Sequence, residues 1–293
     1  MTAATETGAI DLTALKGLRF APTEHAYDDR RTMLYALATG MGREPQDAAE
    51  LEFVTEPHLR ALPGLATVMV WDDRWLDDLG LDLNGVVHGE QRITLHRPLP
   101  PSGRVCSEIE IVDVFDKGAD KGAVLYARTT IDGLDDGAPL ATLHSTVFAR
   151  FDGGFDGPAG NPPPLEKVPE RAPDLAFDDV TLPSQALIYR LLGDRNPLHA
   201  DPEFARNAGF PRPILHGLCT YGFAVNALVR TVAGGDPEAI AHVEARFTAP
   251  VYPGEALRTE VWAEDGRAAF RTVVPDAGGG RVVLDRGQVL LRS

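Results

Sequence analysis

Apolar residues in the first half of the chain follow a helical period once and a period of two thereafter. In Asp28–Met41, DDRRTMLYALATGM, the residues Met33, Leu34, Leu37 and Ala38 fall on one face. Acids open the segment and Gly40 lies near its end, which predicts a helix. Leu65–Trp71, LATVMVW, is a continuous apolar run of strand length. Val86–Leu99 opens with a Gly-containing turn and then alternates, Ile93 and Leu95 against Arg92, Thr94 and His96. Arg104–Phe115, Ala123–Ile131 and Leu140–Phe151 are rich in β-branched and aromatic residues, with turns at Lys117–Gly122 and Gly133–Gly137. One helix followed by an antiparallel meander predicts an α+β unit in which a sheet wraps a helix.

The pattern then restarts. Gly153–Pro173, GGFDGPAGNPPPLEKVPERAP, is dense in Gly and Pro and reads as an extended linker packed over the surface. Beyond it, helices are predicted at Pro183–Leu192, Pro202–Ala208 and Leu215–Val232. Strands follow at Ala241–Thr248, Leu257–Ala263, Ala268–Val274 and Arg281–Leu291. Helix first and strands after, twice over, implies two copies of one fold: residues 1–153, a linker over 154–178, and residues 179–293. The copies share little sequence identity, so the repeat rests on the order of the patterns. Residues up to about Gly17 carry little pattern and are expected to form a loose arm.

Composition narrows the functional classes. The 293 residues carry a net charge of −15, which disfavours nucleic-acid and anionic-membrane partners. An anionic ligand would need a local cationic patch, and lysine occurs only at Lys16, Lys117, Lys121 and Lys167. No apolar run approaches the roughly 20 residues of a membrane span. The N-terminus lacks a basic-then-apolar leader and the C-terminus, LLRS, is not a peroxisomal tripeptide, so the expected location is the cytoplasm. Cys106 and Cys219 cannot build a disulfide framework, and a buried, inert thiol is expected at Cys219.

The chemistry concentrates in Tyr189–His199, YRLLGDRNPLH. An apolar helical run (Ala186, Leu187, Tyr189, Leu191, Leu192) leads into Gly193, which can stop a helix in a left-handed conformation. Pro197 forces Asn196 out of the helical region. Asp194 and His199 therefore lie on a turn that can bring a carboxylate and an imidazole together over one water. A lone D-x-N-P is most simply a polar turn. Downstream, PILHGLCTYG at Pro213–Gly222 enters the long apolar helix near His216 or Gly217. A helix N-terminus presents free N–H groups, and Gly217 would let a ligand carbonyl approach; taken alone, Gly217 serves equally for tight packing.

The full string G-D-x-N-P-L-H at Gly193–His199 resembles the signature of the hydratase 2 family, the MaoC-like (R)-specific enoyl-CoA hydratases. ILHGLCTYG at Ile214–Gly222 is similar to the family's second signature. HGEQ at His88–Gln91, followed by LHRPLP, resembles its N-terminal substrate-binding segment. The resemblance spans about Tyr27 to Leu291 and implies a stand-alone double hot-dog fold, an antiparallel sheet wrapped around a long helix in each repeat. It implies catalysis by Asp194 and His199, with Asn196 in support and the Gly217 N–H on the thioester oxygen. It assigns substrate contacts to His88, Gly89, Lys117 (in Asp116-Lys117-Gly118) and Phe247 (in ARFTAPVYPGE). Glu56 in FVTE matches an acidic position that affects activity, although Thr55 stands where an aromatic residue is usual. The GGFGG of relatives is GGFDG here. The N-terminal repeat lacks the catalytic string and, in relatives, makes room for a bulky acyl chain.

The expected activity is cofactor-independent, reversible addition of water to trans-2-enoyl-CoA giving (3R)-3-hydroxyacyl-CoA, coenzyme A being part of the substrate. The rivals are a dehydratase acting on acyl-carrier-protein thioesters, a non-catalytic acyl-thioester-binding protein, and a structural subunit dependent on a partner. Metal binding by His88, Glu90 and His96 is disfavoured because their spacing around a strand suits three ligands poorly. His216 is expected to be a structural hydrogen-bonding residue beside the site. Trp71, Trp75 and Trp262 read as core or interface residues, and a homodimer is compatible with the pattern.

Overall fold

Every alternating segment pairs antiparallel with its neighbours, and the result is one continuous sheet. The computed structural model describes residues 12–82 and 85–292. Among them the strands are β1 (Thr23–Tyr27), β2 (Val86–Leu95), β3 (Gly103–Asp116), β4 (Ala123–Gly133), β5 (Pro139–Ala149), β6 (Leu175–Val180), β7 (Ile240–Phe247), β8 (Ala256–Glu264), β9 (Arg267–Val274) and β10 (Arg281–Leu291). Their order is β1-β3-β4-β5-β2-β7-β10-β9-β8-β6. Read outward from the centre, each half runs second, fifth, fourth, third and first strand of its own repeat. That shared order establishes the duplication.

The halves join where β2 pairs with β7, Glu90 opposite Arg246 and Arg92 opposite Glu244. On the outer face of this joint Arg92 reaches Glu90 at 3.1 Å and Glu244 at 3.5 Å, and Arg246 reaches Glu90 at 2.6 Å. Arg92 also donates to the Pro163 carbonyl, which ties the linker across the joint. Opposite charges at each facing position fix the register. A slip of two residues would set Glu90 against Glu244.

The helices are α1 (Asp29–Ala38), α2 (Ala48–Leu51), α3 (Ala66–Met69), α4 (Arg74–Asp77), α5 (Gln185–Tyr189), α6 (Pro202–Asn207) and α7 (Gly217–Thr231). α1 follows β1 as α5 follows β6, and a leucine stands two residues after a tyrosine of each, Tyr35 and Leu37 for the first, Tyr189 and Leu191 for the second. Both tyrosines are fully buried, whereas Leu37 and Leu191 both face outward. α7 is apolar on all sides, as a helix enclosed by a sheet must be, and Leu218 to Val229 are all buried. Two of its buried polar side chains anchor it to the surrounding backbone: Tyr221 donates to the Val243 carbonyl at 2.8 Å, and Asn226 to the Thr39 carbonyl at 2.8 Å. The N-terminal counterpart of α7 is only α3, so the first sheet wraps a cavity where the second wraps a helix. This is the double hot-dog arrangement, with one filling reduced.

Four expectations are corrected. Leu65–Trp71 is not a strand but a 3₁₀ turn (Pro63–Leu65) running into α3. Pro63 starts the turn, and burial on every side erases the period that would have marked it helical. The buried face of α1 is Thr32, Tyr35, Ala36 and Ala38, while Leu37 is 46% exposed. Thr32 can face inward because its hydroxyl donates to the Pro101 carbonyl at 2.7 Å. The expected arm is partly fixed: Leu12–Leu15 form a 3₁₀ turn with Leu12 buried, and the Gly17 N–H donates to the Ile111 carbonyl at 2.7 Å. Residues 1–11 of that arm lie outside the described residues. The linker expected over 154–178 ends earlier, because β6 starts at Leu175 and pairs with β8. Six largely exposed residues at an edge give little alternation to read. Among the described residues no helix is long and apolar enough to cross a membrane.

Candidate active site

α5 passes into a 3₁₀ turn (Arg190–Leu192) that ends at Gly193 with φ +135°. A Cβ there would sit 2.7 Å from the Trp71 ring, so only glycine closes this corner. The chain then folds back on Asp194. Its Oδ1 accepts the Asn196 N–H at 3.1 Å, and Asn196 Oδ1 accepts the Leu198 N–H at 2.9 Å, capping the 3₁₀ turn Pro197–His199. That turn aims His199 inward. His199 Nδ1 lies 3.0 Å from the Ile214 carbonyl, which can only accept, so Nδ1 carries the proton and Nε2 keeps its lone pair. Nε2 stands 4.0 Å from Asp194 Oδ2. A water bonded to both at about 2.8 Å would subtend about 90°, a comfortable angle for its two partners.

His216 backs this pair. Its ring stacks on His199 with centroids 3.7 Å apart, and its Nε2 donates to the Asp194 main-chain carbonyl at 3.2 Å. As the N-cap of α7 it precedes Gly217, the helix's first residue, and makes no side-chain cap. The N–H groups of that first turn have no partner within the helix. A Cβ on Gly217 would lie 3.2 Å from the Phe247 ring, so glycine keeps the approach to these N–H groups open.

A cavity of about 490 Å³ begins here, lined by Asp194, Asn196, His199 and Gly217. It passes His88 and Phe247 and continues over the inner face of the first sheet, along Ile109, Ala127, Thr129, Leu143 and Val147. His88 reaches it because Gly89 sits in a β-bulge between β2 and β5, where the register shifts. His88 and Gln91 consequently both face inward although three residues apart.

Burial sets the protonation of the three imidazoles. It pushes His199 below the ordinary histidine value, against the opposing pull of Asp194 and the Ile214 carbonyl. His88 is lowered for the same reason, with Asp194 opposing and His199 adding to the effect. His216 is pushed down to about 2 by burial and by His199. A neutral base with a free lone pair therefore faces the carboxylate side of Asp194.

The structure thus brings together Asp194, Asn196, His199, Gly217, His88 and Phe247. Three other expected residues are placed elsewhere. Gly89 shapes the bulge and does not line the cavity. Lys117 donates to the Gly160 carbonyl and to Asn161 Oδ1 at 2.7 Å, holding the linker to the β3–β4 hairpin. Glu56 is exposed and away from the cavity lining. Trp71, read as core or interface, instead covers Gly193 and lines the cavity, and Arg150 does so unforeseen. A lone tryptophan in an apolar run gives no signal of such a role.

Asp194, His199 and His216 also place three ligand-type atoms within 4.8 Å of one another, a trio the sequence did not single out. Their imidazoles are stacked only 27° from parallel, so the ring lone pairs run side by side rather than converging on one point. Each ring also has one nitrogen engaged by a main-chain carbonyl. The arrangement suits a polarised water better than a tetrahedral ion.

Comparison with known proteins gives two family matches, a MaoC like domain over residues 164–280 and an MFE-2 hydratase 2 N-terminal domain over residues 25–151. Enoyl-CoA hydratase ChsH3 of Mycobacterium tuberculosis is 41% identical over 281 residues, spanning 94% of this chain and 96% of that protein. The 3-hydroxyacyl-thioester dehydratase Y of the same organism is 43% identical over 277 residues, spanning 92% and 94%. The crystal structure of a MaoC-like dehydratase from Phytophthora capsici superposes with a TM-score of 0.82 at 30% identity, covering 96% of this chain and 98% of that one.

Proposed function

Since the chain belongs to the MaoC-like hydratase 2 family, we propose that it is an (R)-specific 2-enoyl-CoA hydratase, a hydro-lyase that reversibly adds water to trans-2-enoyl-CoA to give (3R)-3-hydroxyacyl-CoA. One observation carries the reading: His199, pinned through Nδ1, turns an unprotonated Nε2 towards Asp194 Oδ2 across the width of a water.

Water held between the two gives a proton to the pair, with His199 as acceptor, while its oxygen bonds to C3. The C2–C3 π electrons move to the thioester, whose oxygen takes the negative charge beside the Gly217 N–H. Collapse of this enolate draws one proton from the pair onto C2, so both the water and the catalyst are accounted for. Asn196 holds the loop, and His88 and Phe247 flank the acyl group. The acyl chain extends along the first sheet, where Val147 and Leu143, four residues apart on β5, span about 13 Å.

The test follows loss of enoyl-thioester absorbance with crotonyl-, octenoyl- and dodecenoyl-CoA. A (3R)-specific dehydrogenase, coupled to the reaction, reads the product's configuration. Asp194→Asn and His199→Gln are each expected to lower kcat by about 10²–10⁴-fold. No turnover of any CoA ester by the folded wild type would sink the proposal and move attention to acyl-carrier-protein thioesters.

A further inference from the structure

We propose that His216 is the positioning residue of this site, a single imidazole that fixes the Asp194 loop through a hydrogen bond and the His199 ring through a stacked face. The inference rests on the hydratase reading above.

Three contacts converge on this ring. Nε2 donates to the Asp194 main-chain carbonyl at 3.2 Å. One face lies on His199 at 3.7 Å, and the ring also meets Tyr189 at 5.0 Å. The same residue is the N-cap of α7, so its backbone sets the direction of the Gly217 N–H. The side chain therefore indexes the Asp194 loop and the His199 ring to each other, and the backbone of the same residue leads into the Gly217 N–H. Asp194 has its carbonyl held by His216 and its Oδ1 by Asn196, which leaves Oδ2 to face His199.

The groups facing His216 are Asp194 and His199 from the loop, Tyr189 from the end of α5 and Arg190 from the 3₁₀ turn that follows it. Its Nδ1 is buried and has no hydrogen-bond partner. A buried acceptor left unpaired is a standing cost to the fold. A purely structural position would shed that cost by becoming apolar. Phenylalanine would keep the flat face but lose the donor to Asp194. Glutamine would keep a donor but lose the face that shields His199 from water. Histidine supplies both.

These halves separate experimentally. His216→Phe is expected to lower kcat on dodecenoyl-CoA by about tenfold or more, with KM within about threefold of wild type. The acid limb of kcat/KM should stay in place in that variant, because His199 remains covered. His216→Gln is expected to move that limb up by about half a pH unit or more, as water reaches His199. Melting temperatures are recorded beside the kinetics. Wild-type kcat in the Phe variant overturns the proposal, and so does an unmoved limb in the Gln variant, whatever the change in melting temperature. If one variant does not fold, the other alone decides. A folded wild type that hydrates no enoyl-CoA counts against the hydratase reading instead, and the two failures are thereby distinguishable.

Discussion

His199 is fitted to act as a base because its two ring nitrogens meet different surroundings, a carbonyl on one side and a water-sized gap on the other. Burial lowers its pKa below the ordinary value of about 6.5. In the proposed reaction the neutral ring is the working form, so activity is expected above the folded-state pKa and is expected to be lost as pH falls through it. The acid limb of kcat/KM is therefore expected below pH 6.5, and a pH–rate profile with dodecenoyl-CoA checks it. Stability follows the same direction. The unfolded chain binds this proton near pH 6.5 and the folded one resists it, so the contribution is intact above that value and declines below it. Much at this scale was legible, because G-D-x-N-P-L-H encodes a glycine corner, a carboxylate, a cap and an imidazole in seven consecutive positions. His216 was legible only as a neighbour. Seventeen positions separate it from His199, and no periodicity reveals that two rings so spaced will stack.

α7 is the element on which the site leans, since its body fills the second sheet and its first turn would supply the oxyanion donor of the proposed reaction. Leu228 is fully buried in its C-terminal half. Leu228→Ala is expected to destabilise the protein by about 2–5 kcal/mol through lost transfer energy and a residual cavity, measured by urea denaturation, while KM for the thioester changes little. Such a helix was easy to read, being long, apolar and bounded by Gly217 and the turn beyond Thr231. The short elements were not. α3 has four residues, all buried, and its composition suits a strand as well as a helix. The inward face of α1 is chosen by the hydroxyl of Thr32 finding the Pro101 carbonyl, a partner about seventy positions away, which local hydrophobicity cannot anticipate. β1 and β6 were missed because a strand of five or six residues at a sheet edge has too few buried positions to alternate.

Across the whole molecule, two halves of the same strand order, only one of them holding a long central helix, divide the labour between the repeats. The second carries the Asp194–His199 loop and α7, and the first contributes His88, Trp71 and the apolar sheet that bounds the cavity. Chain-length preference is accordingly expected to be set in the first repeat. Ala127 lies on that sheet between Ile111 and Ser145. Ala127→Phe is expected to lower kcat/KM for dodecenoyl-CoA by about tenfold or more and to leave crotonyl-CoA within about twofold, read in the same absorbance assay. The order of helices and strands was enough to recognise two repeats. Their junction was not, because Arg92 and Glu244 meet across 152 positions (244 − 92), beyond the reach of any local pattern. That junction matters during synthesis. When the first repeat leaves the ribosome, β2 is complete on its β5 side and has an open edge on the other. The strand that closes it is made only after the linker, β6, the catalytic turn and α7 have emerged. The nascent first repeat is thus an unfinished sheet with a sticky border along β2, and that border closes only once β7 has docked.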